Sequence, residues 1–60
     1  MKQSILIIED EQAIRENIVK ILGYEGFDVD QAENGRIGLQ KARTKVPDLI
    51  LCDILMPELN

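Results

Sequence analysis

The first continuous apolar run, SILII at Ser4–Ile8, is flanked by polar residues and rich in β-branched side chains, which predicts a strand buried on both faces. It stops at Glu9-Asp10. From Glu11 the period changes: Ile14, Ile18, Ile21 and Leu22 recur at helical intervals with Arg15, Glu16 and Lys20 between them, the pattern of an amphipathic helix. Acids at its start suit the positive end of the helix dipole, Lys20 suits the last turn, and Gly23 stands where a left-handed stop is expected. In YEGFDVDQA, Gly26 reads as a turn, and Phe27, Val29 and Gln31 alternate with Asp28 and Asp30, which predicts a strand with one wetter side at a sheet edge. Asn34 is the expected N-cap of a second helix with Ile37, Leu39, Ala42 and Val46 as its apolar stripe, ended by Pro47. Gly35 and Gly38 are expected to weaken that helix by up to about 1 kcal/mol each. DLILCD, residues 48–53, is a third strand, apolar on both faces between terminal aspartates.

The order strand, helix, strand, helix, strand with short connections predicts an α/β fold with a parallel sheet built from right-handed crossovers. At 60 residues there is room for one core and no second domain. With no disulfide pair and no Cys or His cluster to staple so small a core, the expectation is a piece of a larger domain. Cys52, the single cysteine, is expected as a buried core residue in a reducing compartment. Four consecutive large apolar residues near the start are too few for a membrane span or a signal segment, so a cytoplasmic protein without membrane contact is expected. The formal charge is −4 and the seven basic residues are scattered, which argues against direct nucleic-acid binding.

In parallel sheets with such crossovers, ligands bind beyond the carboxyl ends of the strands. Glu9-Asp10 and Asp53 both lie at such ends. If strands one and three are neighbours, three carboxylates converge, and a hard divalent cation, Mg²⁺ or Mn²⁺, relieves their repulsion. Two acids before a helix also serve commonly as dipole partners, and a lone Asp after a strand as a cap or turn residue.

Several stretches, ILIIEDE, AENGRIGLQKA and above all PDLILCDILMPELN, resemble the receiver domain of bacterial two-component response regulators. The resemblance covers all 60 residues, about half of such a domain, and implies a flavodoxin-like half-domain, β-α-β-α-β, with parallel strands in the order 2-1-3. It implies that Asp53 is the phospho-acceptor, that Asp10 and Glu9 hold Mg²⁺, Glu9 mainly through water, and that the backbone carbonyl of Leu55 completes the protein's share of the metal shell. Met56 and Pro57 resemble the loop that shapes this rim. A sensor histidine kinase or phosphotransfer protein would be the donor, and the module would be regulatory and not a classical enzyme. The family also uses a Ser or Thr after its fourth strand and a Lys after its fifth, positions beyond this sequence.

Two enzyme readings fit less well. A haloacid-dehalogenase-type phosphatase wants a second acid where Leu55 stands, and a Walker B strand wants an upstream GxxxxGK that is absent. The rival from another class is a self-associating half-domain without phosphotransfer: in the order 2-1-3 the third strand is an edge, so Leu49, Ile50, Leu51 and Ile54 are expected to stay exposed and to pair with a second copy.

Overall fold

The computed structural model describes residues 2–52. Strand β1 (Ser4–Ile8), helix α1 (Gln12–Tyr24), strand β2 (Asp28–Ala32), helix α2 (Gly35–Thr44) and strand β3 (Leu49–Cys52) follow in that order, and the sheet runs β2-β1-β3 with both pairings parallel. The parallel α/β sheet is the one the alternation predicts, and its strand order is that of the flavodoxin-like half-domain the resemblance implies. β1 is central and its residues 5–8 are buried, as a strand flanked by crossover helices must be.

Register sets the two faces. Ile8 is partnered with Ala32 and Cys52, and Leu6 with Asp30 and Ile50, so these six share a face. Leu6, Ile8 and Ala32 form the core there, with Ile37 and Ala42 of α2 packed on it. The other face carries Ile5, Ile7 and Gln31, and α1 lies against it. Among the described residues, both helices pack on β1 and β2 and neither on β3. All four residues of β3 are therefore exposed, as expected for Leu49, Ile50 and Leu51; Ile54 lies outside the described residues.

Cys52 departs from expectation: it is exposed, because it sits on the edge strand that neither helix covers. In α1 the inward face is Arg15, Ile18, Val19 and Leu22, while Ile14 and Ile21 lie on the flank at 46% and 54% exposure. In α2, Leu39 is exposed and the inward position next to Ile37 is taken by Gly38, while Val46, expected in the helix's apolar stripe, lies beyond its end at Thr44 and is exposed. A Cβ at Gly38 would stand 2.4 Å from Ile8 Cδ1, so this glycine, expected only as a weak point, is what lets α2 approach β1.

The termini follow general capping rules. α1 runs through Gly23, and the left-handed residue is Gly26 at φ 95°. Its N–H donates to the Gly23 carbonyl (3.1 Å) and the Phe27 N–H to the Leu22 carbonyl (3.2 Å), the paired bonds of a Schellman stop. No acid lies in the first turn of α1 and no base in its last, so Lys20 has no part in the C-terminus. Asn34 caps α2 as expected, its side chain accepting the Ile37 N–H at 2.8 Å. At the start of β3, Asp48 Oδ2 accepts from the Ser4 N–H (2.8 Å), and the Asp48 N–H donates to the Ser4 carbonyl (2.9 Å), which pins β3 to β1.

Candidate functional site

The carboxyl end of β1 is held from three directions. The Glu9 N–H continues the ladder to the Ala32 carbonyl at 3.0 Å. The Glu9 carbonyl accepts Arg15 Nη1 at 2.9 Å, and Arg15 Nε donates to Gln31 Oε1 on β2, also at 2.9 Å. The Glu9 carboxylate is only 3% exposed for the residue as a whole, and its Oε2 accepts the Glu11 N–H at 2.9 Å. A buried carboxylate is costly without such a partner, and an amide at the entrance to a helix is a favourable one. Glu9 thus acts on the start of α1 from outside the helix, where Glu11 is an N-cap residue without a side-chain cap bond of its own.

Asp10 follows directly and is exposed. Among the described residues, neither its carboxylate nor Oε1 of Glu9 makes a hydrogen bond within the protein. Two acids therefore stand side by side at the end of the central strand, one braced and the other exposed and without a hydrogen-bond partner among the described residues. Asp53, Leu55, Met56 and Pro57 lie outside the described residues, and among those described no group of three metal-ligating side chains forms. Cys52, the residue before Asp53, is partnered with Ile8, the residue before Glu9.

A pocket between α2 and the sheet, lined by Asp28, Asp30, Lys41, Lys45 and Pro47 among others, lies at the opposite end of the strands. Its charges are already paired: Lys41 with Asp30 at 3.2 Å and Lys45 with Asp28 at 3.4 Å. Arg15 and Gln31 were not singled out as site residues by sequence. Gln31 carried a signal, since it falls on the inward side of the β2 alternation; Arg15 carried none, because a charge between apolar helical positions normally faces solvent.

The family model described as the response regulator receiver domain matches residues 5–60. The chain belongs to that family. Among curated proteins, this receiver sequence is 45% identical over 56 residues to "Response regulator ArlR" of Staphylococcus saprophyticus, covering 93% of the chain and 26% of that protein. It is 38% identical over 60 residues to "Alkaline phosphatase synthesis transcriptional regulatory protein PhoP" of Bacillus subtilis, covering 100% of the chain and 25% of the relative. "Histidine kinase P4" of Formosa agariphila is 40% identical over 58 residues, 97% of the chain and 4% of that protein. The receiver chain thus spans about a quarter of the length of the response regulators it matches, and a receiver is a regulatory module. No helix among the described residues is long and apolar enough to cross a membrane.

Proposed function

We propose that this chain is the phospho-accepting module of a two-component phosphorelay in the cytoplasm, with Asp53 as the acceptor and a sensor histidine kinase or phosphotransfer protein as the donor. The observation that carries the reading is the family match over residues 5–60, which takes in Glu9, Asp10 and Asp53 together. The register supports it, because β3 lies beside β1 and both lead into acids at their carboxyl ends.

The donor set at Glu9 and Asp10 fits a hard divalent cation: carboxylate oxygens, one residue anchored and the other unengaged among the described residues. Glu9 and Asp10 would hold Mg²⁺ (or Mn²⁺), with Asp53 and the Leu55 carbonyl as further ligands. Bound there, the ion supplies charge neutralisation between an anionic nucleophile and an anionic phosphoryl group. Asp53 attacks phosphorus with a carboxylate oxygen; a P–O bond forms, the donor's P–N bond breaks, and the departing imidazole keeps the electron pair and is left neutral after protonation. Glu9, fixed by its backbone and by the Glu11 amide, keeps the acidic corner in place, and the exposed Asp10 would be the carboxylate available to hold the ion.

The exposed edge favours a second property. Among the described residues β3 pairs only with β1, and its LILC segment offers an uncharged edge to a second copy. Self-association through β3 edges is the reading, and sedimentation checks it: concentration-dependent dimers support it, a monomer at all concentrations removes it. Phosphoryl acceptance is tested by incubating the protein with acetyl phosphate and Mg²⁺ and mapping the adduct by mass spectrometry. One labile phosphoryl group on Asp53, absent from Asp53→Asn, is expected; label elsewhere, or undiminished in that variant, overturns the assignment.

A further inference from the structure

Resting on the cation site proposed above, we infer that Arg15 is a positioning residue for that site: its guanidinium ties the Glu9 carbonyl to Gln31 and so fixes the direction in which Glu9-Asp10 leave the sheet. Arg15 is half-buried on the inward face of α1, in line with Ile18, Val19 and Leu22. It spends its fork on two neutral oxygens, Nη1 on the Glu9 carbonyl and Nε on Gln31 Oε1, each at 2.9 Å. Among the described residues it makes no ion pair with either acid. A rigid planar fork can bridge two acceptors at set angles, which a lysine cannot do.

The carbonyl that Arg15 holds belongs to the peptide leading into Asp10. The Glu9 N–H is fixed by Ala32 and the Glu9 side chain by the Glu11 amide, so releasing the carbonyl frees that peptide to rotate and carries Asp10 with it. Groups that orient metal ligands without touching the ion commonly change affinity ten- to a hundredfold when removed.

Charge and position predict opposite signs. Arg15 is a cation beside a cation site, so if it acted through charge alone its removal would tighten metal binding. As a positioning residue its removal weakens binding. The experiment measures Mn²⁺ dissociation constants by calorimetry on the protein and on Arg15→Met, Arg15→Lys, Gln31→Met and Asp10→Asn, with urea denaturation establishing the folded fraction of each. Expected are a loss of roughly tenfold in Arg15→Met, a loss also in Arg15→Lys although the charge is kept, a smaller loss in Gln31→Met, and near-abolition in Asp10→Asn. Unchanged or tighter binding in folded Arg15→Met while Asp10→Asn loses the ion overturns the role of Arg15 and leaves the site standing. Undiminished binding in Asp10→Asn overturns the site and the inference with it. Should Arg15→Met fail to fold, Gln31→Met decides: parental affinity there overturns the tie, weakened affinity upholds it.

Discussion

Replacing Gly38 with alanine separates two views of the second helix. By helix propensity alone the change stabilises a helix interior by up to about 1 kcal/mol. The structure opposes this, because the new Cβ would lie 2.4 Å from Ile8 Cδ1, 2.8 Å from Ile8 Cγ1 and 3.7 Å from Ala32 Cβ. Carbon atoms rest at about 3.5–4.0 Å, so either the Ile8 side chain withdraws by more than about 1 Å or α2 lifts off the sheet. Ile8 is itself buried at 7% exposure in the core with Leu6 and Ala32, which leaves it little room. Overpacking of this kind costs about 1–3 kcal/mol. Subtracting the propensity gain leaves a net loss of about 1 kcal/mol, read as a lower midpoint in urea denaturation followed by circular dichroism. Gly35→Ala is the internal control: nothing lies within 4 Å of its Cβ position, and it should gain stability by up to about 1 kcal/mol. Ile8→Val, which removes Cδ1, should soften the Gly38→Ala penalty in a double-mutant cycle by roughly 0.5 kcal/mol or more. If Gly38→Ala stabilises the protein as Gly35→Ala does, the close approach of α2 to β1 is wrong.

Asn34→Ala removes the acceptor for the Ile37 N–H and should cost about 1 kcal/mol in the same assay, most of it recovered by Asn34→Asp. Asp48→Ala removes the side-chain bond to the Ser4 N–H and should raise amide hydrogen exchange in β3 more than in β2; uniform protection across the sheet would show that this pin does not hold β3.

What the sequence made legible follows from what each residue contributes to a pattern. β1 was clear because four large apolar residues in succession have only one economical home, the middle of a parallel sheet. The β2 edge was clear because Asp28 and Asp30 alternate with half-buried neighbours. Gly38 was not, since its role is the absence of a side chain, and counting apolar positions passes over it in favour of Leu39 one residue on. The inward face of α1 was turned by part of a step for a related reason: Arg15 spends a charged head on oxygens at the strand ends, so a residue scored as polar occupies an inward position while Ile14 stays on the flank. Gly23 reads as the helix stop and Gly26 as a turn; the helix instead runs through Gly23, and the backbone bonds of Gly26 and Phe27 make Gly26 the stop, a difference of three residues that composition does not encode. Cys52 looked like core because its run is apolar; exposure came from the strand order, which leaves β3 beyond the reach of both helices.

At the acidic corner, the family resemblance separates Asp10, a direct ligand, from Glu9, which would act mainly through water, but sequence does not say which of the two the fold anchors. Burial and the Glu11 amide make Glu9 the anchored member, and exposure leaves Asp10 open. The central claim is that these two acids and Asp53, 43 positions beyond Asp10 in the sequence, act as one cation-dependent site. Mn²⁺ titration of the protein, Asp10→Asn, Asp53→Asn and the double variant tests it most directly. One shared site predicts that each single change weakens binding and that the double variant loses little beyond the worse of the two, because both act on the same ion. Parental affinity in Asp53→Asn, with binding lost only in Asp10→Asn, would contradict the account.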